Sequence, residues 1–225
     1  MSVFLLASAG HSPGVTTLAV ALATTSIGPS LLVDANPQPD QSVLAGYLQG
    51  TDPGGRGLGG FLQAHRERRP LESELSAMTI SLGEPGHDFL PGFASPGVSA
   101  LFSPAWPDLA AALASESGLV VVDCGRIGGA GLPPALVKVA AGVLVVTGSR
   151  LVDLAALRLY LPEVVAAADP ERVGLIVMGP GRPYGSGEIS ARFGVPVWAK
   201  IAWRPAQAEA ALCTSTATAA ACIGL

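Results

Sequence analysis

Charge is scarce in this 225-residue chain, where 13% of residues are Asp, Glu, Lys or Arg against 49% hydrophobic, and the formal net charge is −4. The lack of any Lys/Arg stripe argues against a nucleic-acid surface of its own. The one basic cluster, Arg66-Glu67-Arg68-Arg69, is interrupted by an acid and reads as a solvated helix terminus, where cations complement the dipole. Aromatics make up only 5%; the apolar content is mostly Ala, Val and Leu in short segments, which favours a sheet buried on both faces by helices over a sandwich. No uninterrupted apolar run reaches the roughly 20 residues that a membrane span needs. The N-terminus enters a strand without a basic leader or cleavage site, so the expectation is a cytoplasmic protein that reaches a membrane only through a partner. The three cysteines, Cys124, Cys213 and Cys222, have neither metal spacing nor a disulfide framework, and read as small buried hydrophobes in a reducing compartment. Lysine occurs only at Lys138 and Lys200, so none lies in the first 137 residues.

Against these absences stands a regular alternation. Apolar runs of strand length, bounded by turn residues, occupy Val3–Ser8, Ser30–Asp34, Leu119–Asp123, Gly142–Thr147, Val173–Met178 and Val195–Ile201. Helical spacing marks Val15–Thr24, Gln41–Gln49, Trp106–Ser115, Pro133–Ala140, Val152–Ala168, Gly187–Phe193 and Pro205–Ala221. Strand alternating with helix predicts an α/β fold: a three-layer, doubly wound, mostly parallel sheet with right-handed crossovers. The section 51–104 departs from the pattern with Gly/Pro turns, and is expected to hold one helix over about Leu58–Arg68 and one or two edge strands near Thr79–Leu82 and Phe89–Phe93. Because the alternation resumes afterwards, the reading is one domain over 1–225 with an insertion at about 51–104. That length is enough for a sizeable core.

The chemistry concentrates at three strand ends. After the first strand comes Gly10-His11-Ser12-Pro13-Gly14-Val15-Thr16-Thr17, a phosphate loop by position and spacing. In such a loop, backbone N–H groups and the helix N-terminus cradle phosphates, a Lys reaches the β/γ oxygens and a Ser/Thr hydroxyl ligates Mg²⁺. Here Val15 holds the Lys slot. The second strand ends in Asp34 and the third in Asp123 followed by Cys124-Gly125-Arg126. Ligands of open α/β sheets sit outside the carboxyl ends of the strands, so both acids are expected to converge on the loop, where they would organise Mg²⁺ and water. They could instead only satisfy loop N–H groups. Arg126 is expected to pair with one of the acids, with phosphate as the other choice. His11 is either an anion donor or a solvent-facing loop residue, and Thr16 either a Mg²⁺ ligand or a helix N-terminal hydroxyl. Arg182 and Tyr184 lie in a Gly/Pro turn that borders a base pocket or is a plain surface turn.

These three motifs, in this order, resemble the ParA/MinD superfamily of deviant-Walker P-loop ATPases, whose loop reads Lys-Gly-Gly-Val-Gly-Lys-Thr-Thr. Gly14, Thr16 and Thr17 match, while Gly10 and Val15 occupy both lysine slots. Asp34 falls on the family's water- and Mg²⁺-organising acid, with Pro37 and Gln38 also matching and Asn36 in place of a second acid; Asp123 falls on the Walker B acid. More closely, the chain is similar to a divergent bacterial MinD-like branch with Ser-Pro-Gly-Val-Thr-Thr (12 to 17), an Asp-x-Gly-Arg (123 to 126) and a Gly-Pro-Gly-Arg-Pro-Tyr turn (179 to 184). That branch generally keeps the first lysine, here Gly10. The family often has an adenine-recognising Asn at about the place of Gly179.

The resemblance implies a P-loop nucleotide site that takes ATP or ADP with Mg²⁺, the cofactor-binding residues being Gly10 to Thr17, Arg182 and Tyr184 and the metal residues Thr16, Asp34 and Asp123. With both lysine slots empty, it equally allows no ligand. The family's signature lysine reaches across a nucleotide-sandwich dimer, so its loss removes a central contact of that dimer. The expectation is a degenerate Walker A and a pseudo-ATPase, in which Asp34 is a vestigial catalytic acid. Such a chain would act as a positioning or assembly scaffold for protein partners of a larger machine, with a homodimer an option. Pilus assembly or secretion is preferred over septum placement and DNA segregation, since the acidic balance disfavours DNA and no basic amphipathic tail is evident. A slow ATPase completed by a partner or dimer, and a ligand-free interaction module, are the alternatives.

Overall fold

The computed structural model describes residues 2–10, 13–204 and 206. Eight strands form one sheet: β1 (Ser2–Ser8), β2 (Ser30–Asp34), β3 (Ile80–Ser81), β4 (His87–Leu90), β5 (Leu119–Arg126), β6 (Gly142–Gly148), β7 (Val173–Met178) and β8 (Val197–Ile201). Their order is β3-β4-β2-β5-β1-β6-β7-β8. Every neighbouring pair is parallel except the antiparallel β3–β4. The fold is therefore the expected three-layer α/β arrangement. Val- and Leu-rich strands suit its interior because both faces are covered.

The helices are α1 (Val15–Thr24), α2 (Leu58–Arg66), α3 (Leu71–Met78), α4 (Pro96–Leu101), α5 (Trp106–Ser115), α6 (Pro134–Val139), α7 (Leu151–Ala167) and α8 (Ser186–Phe193). One face of the sheet packs Val3, Leu5, Val33, Val122, Val145 and Leu175 against residues of α2, α3 and α5 to α8. The other packs Leu6, Leu32, Val121, Val146 and Ile176 under α1 and the segment around Val43–Tyr47. The two sets alternate along each strand, as a pleat requires.

Four expectations need correction. The segment read as a helix over Gln41–Gln49 is a short π-helical turn, Val43–Tyr47, in which Leu48 N–H donates to the carbonyl of Val43, five residues back, at 2.9 Å. The segment read as an edge strand near Phe89–Phe93 is β4, which lies inside the sheet on β2; only β3 forms that edge. Two helices of the 51–104 section, α3 and α4, were not foreseen. β5 runs three residues beyond Asp123, to Arg126. The helix expected over Pro205–Ala221 lies, apart from Ala206, outside the described residues, as do Cys213 and Cys222. Cys124 is 3% exposed, and burial pushes its thiol far up, with Asp123 and Asp34 adding to the effect.

Residues 51–104 join the same core. Phe61 of α2, Phe93 and Phe102 are buried together with the half-buried Trp106 of α5; Phe102 sits with its ring centroid 4.6 Å from Trp106, 5.2 Å from Phe93 and 6.2 Å from Phe61. Offset and edge-on aromatic contacts at such separations add to the burial itself.

Candidate functional site

Strand order alone assembles the site. β5 lies between β2 and β1, so the carboxyl ends carrying Asp34, Asp123 and the Gly10–Thr17 loop are neighbours. Asp34 and Asp123 are direct register partners on adjacent parallel strands, which turns both side chains to the same face of the sheet, the face that α1 covers. α1 opens at Gly14, whose backbone is left-handed at φ 98°, a conformation that favours glycine. The Gly14 carbonyl accepts the first helical bond from Leu18 N–H at 3.0 Å. No acid sits in the first turn of α1, where the N–H groups and dipole of a helix N-terminus favour an anion.

Asp123 is 3% exposed. Its Oδ1 accepts from Gly125 N–H at 2.8 Å, and the Thr16 hydroxyl hydrogen-bonds its carboxylate. Burial nevertheless raises the carboxyl to about 6, outweighing both hydrogen bonds. Asp34 is half-buried and accepts from Asn36 N–H at 3.1 Å; burial and then the Asp123 charge raise it to about 7. Asp40 pushes both acids in the same direction. A Cβ on Gly92 would stand 2.5 Å from the Asp34 carboxylate, so the chain after β4 closes directly over this acid, and only glycine fits there.

Two acids held close and raised together are what a divalent cation relieves. All the donors are oxygens, which suits Mg²⁺; that ion is usually held by one or two carboxylates plus phosphate and water. Among the described residues no group of three or more His, Cys, Asp or Glu could hold a metal unaided. Asp34, Asp123 and Thr16 would therefore hold Mg²⁺ together with a phosphate rather than alone.

The raised values have a consequence for stability. Both carboxyls sit above the 3.8 of the free side chain, so the fold favours their neutral forms. That contribution is whole below about pH 4 and is lost as pH rises through about 6 to 7. The melting temperature of ligand-free protein should therefore fall between pH 5 and pH 8. Asp34→Asn should stabilise the protein by about 1–2 kcal/mol more at pH 8 than at pH 5. Paired thermal melts at the two pH values check this; a gain that is equal at both, or larger at pH 5, would contradict the assignment.

The lysine slots look different from each other. Val15 is 6% exposed and packs with Leu18, Leu6 and Val146 in the core under α1, so the slot normally given to a phosphate contact is spent on apolar packing. Gly10 has no side chain, and a Cβ there would meet Ala156 at 3.3 Å and the Arg126 guanidinium at 3.6 Å. Pro13 is buried, Thr16 and Thr17 are half-buried, and His11 and Ser12 lie outside the described residues. Arg126, expected to pair with an acid, is exposed, and its side chain has no ion pair or hydrogen bond among the described residues.

The Gly179–Tyr184 turn contains a cis Arg182–Pro183 bond and hangs on buried Ser149. The Ser149 hydroxyl donates to the Gly179 carbonyl at 2.5 Å and accepts from Arg182 N–H at 3.1 Å. Arg182 lines a cavity of about 220 Å³ with Pro13, Met178, Gly179 and Trp203, next to the loop. Tyr184 lines a different and larger groove, of about 990 Å³, between α7 and α8. Sequence reasoning missed Ser149, Trp203 and Gly92. Trp203 carried a usable signal, since it follows the last strand at the same carboxyl edge; Ser149 and Gly92 carried none that a lone serine or glycine could give.

A left-handed glycine opens a helix after β1, and acids stand towards the carboxyl ends of β5 beside it and of β2 beyond, the arrangement of a three-layer fold of the P-loop NTPase type. The particular shape is that of ParA and MinD ATPases. A ParA family ATPase from Chlorobium tepidum superposes with TM-score 0.75 at 20% identity, over 94% of this chain and 88% of that one. MinD in the Aquifex aeolicus MinC:MinD complex gives 0.69 at 16%, over 94% and 85%. MinD from Pyrococcus horikoshii complexed with Mg-ADP gives 0.66 at 18%, again over 94% and 85%. No protein-family model and no curated protein matches the sequence.

Proposed function

We propose that this chain is a degenerate ParA/MinD-like protein that holds nucleotide with Mg²⁺ at the Gly10–Thr17 loop, hydrolyses it weakly or not at all, and serves as a positioning or assembly scaffold for a larger machine. The observation that carries this reading is the burial of Val15 in the slot of the catalytic lysine, beside an acid pair that is still side by side. The cradle of backbone donors and the acids support binding, while the missing lysines argue against rapid phosphoryl transfer. Likeness to a Mg-ADP-bound MinD and to a MinD held by MinC supports a nucleotide and a protein partner as the kinds of ligand to test. The acidic surface balance favours a pilus or secretion machine over DNA. No helix among the described residues is long and apolar enough to cross a membrane, so a membrane-bound machine would be reached through a partner.

A ligand that binds only the native state must raise its apparent stability. Thermal melts with Mg-ATP, Mg-ADP and Mg-GTP at about a hundredfold excess over Kd should raise the melting temperature by roughly 5–10 °C for the correct base. No shift with any of them would leave a ligand-free interaction module. The retained acid pair favours one second reading, a slow Mg²⁺-dependent ATPase completed by a partner's or second copy's cation. Partner-stimulated hydrolysis that Asp34→Ala abolishes would establish it.

A further inference from the structure

We propose that Arg126 is the cation of this site, reaching over Gly10 to hold a nucleotide's phosphates from the space that a side chain at position 10 would otherwise fill. The inference rests on the reading of Gly10–Thr17 as a phosphate site and adds which residue supplies its charge.

Sheet register puts Arg126 there. Leu6 pairs with Asp123 but Ser8 pairs with Arg126, so β5 carries one extra residue across this step. The bulge contains Gly125, left-handed at φ 60°, whose missing side chain also leaves room for the Asn36 side chain packed against it. Bulges of this kind re-aim the side chain that follows, and they recur beside functional sites. Ile127 N–H then donates to the Ser8 carbonyl at 2.8 Å, which fixes the end of β5 alongside the start of the loop. The result is a guanidinium with Nη2 at 3.6 Å and Nε at 3.9 Å from where a Cβ on Gly10 would stand.

Neither Asp34 nor Asp123 pairs with this arginine, and each accepts from groups nearer in its own surroundings. Asp123 takes Gly125 N–H and the Thr16 hydroxyl, and Asp34 takes Asn36 N–H. The nearby Arg150 is committed to Asp153, at 3.0 and 3.1 Å. Arg126 and Arg182 are both exposed near the loop with no side-chain partner among the described residues, and of the two it is Arg126 whose guanidinium stands over Gly10. The planar fork of its guanidinium can meet two phosphate oxygens at once. Gly10 and Arg126 thus form one device: the glycine clears the space and the arginine fills it from the next strand.

Calorimetric titration of the full chain with Mg-ADP, with inorganic tripolyphosphate as a second probe, tests the assignment. Arg126→Ala should weaken both by about tenfold or more, the loss expected for one charge-assisted contact. Arg126→Lys should recover most of the affinity, and the ligand-free melting temperature should not move in either variant. A wild type that binds with an Arg126→Ala affinity within twofold of its own would overturn the assignment while leaving the phosphate site standing. A wild type that binds neither probe would remove the phosphate-site reading and this assignment with it. Loss for Mg-ADP but not for tripolyphosphate would place Arg126 outside the phosphate contacts and also overturn the proposal.

Discussion

Steady-state hydrolysis of Mg-ATP by this chain should run at least about 10³-fold below that of a lysine-bearing ParA or MinD ATPase assayed alongside. Phosphoryl transfer asks the protein mainly for positioning and for positive charge placed where negative charge spreads in the transition state. Two positions supply that charge in the lysine-bearing loop, and here one is Gly10 and the other Val15, buried at 6% exposure. Arg126 over Gly10 replaces one of the two. A contact made equally to ground state and transition state tightens binding without speeding the reaction, so one exposed arginine does not restore the rate. The acid pair cannot compensate either: burial raises both carboxyls, to about 7 and about 6, and neither acid brings positive charge to the phosphates. A phosphate-release assay at saturating Mg-ATP reads the rate, with Asp34→Ala reporting how much of any residue belongs to this site. Turnover within tenfold of the reference enzyme would defeat the pseudo-ATPase reading.

Phe102→Ala should cost about 3–5 kcal/mol of unfolding free energy, the range for removing a fully buried phenyl ring. Phe102 is 0% exposed and touches rings from three separate parts of the chain, Phe61, Phe93 and Trp106. Three neighbours on different elements leave little scope for the cavity to collapse. At roughly 2–4 °C per kcal/mol for a chain of this size, the melting temperature should drop by about 10 °C. The effect should also reach the site, because Phe93 directly follows Gly92, whose backbone closes against the Asp34 carboxylate. Urea denaturation with both proteins measures it. A loss below about 1 kcal/mol would show that residues 51–104 are not part of the cooperative core.

The elements that the sequence displays cleanly are those with strong local punctuation. β2 (Ser30–Asp34) and β7 (Val173–Met178) are apolar runs closed by turn residues, while α1 and α5 begin after Gly14 and at Trp106-Pro107, and all four boundaries match the expectation. What escaped was set by contacts distant in sequence. The position of β4 between β3 and β2 depends on strand order, which no local pattern encodes. The expected end of β5 is Asp123, whereas the left-handed backbone of Gly125 makes a bulge and pairing continues to Arg126. At the site, the meeting of the loop with Asp34 and Asp123 followed from the strand-end rule. The burial of Val15 and the unpaired state of Arg126 did not, since both depend on what neighbouring strands and helices leave open.

The most direct test of a nucleotide-holding, non-hydrolysing site is a single-turnover experiment on the full chain with labelled ATP and Mg²⁺. Protein in excess is mixed with nucleotide, bound label is separated from free, and the recovered nucleotide is identified over an hour. The account predicts label that stays bound and remains triphosphate, with retention falling about tenfold or more for Arg126→Ala. Bound diphosphate appearing within a minute, or no retained label at all, would contradict it.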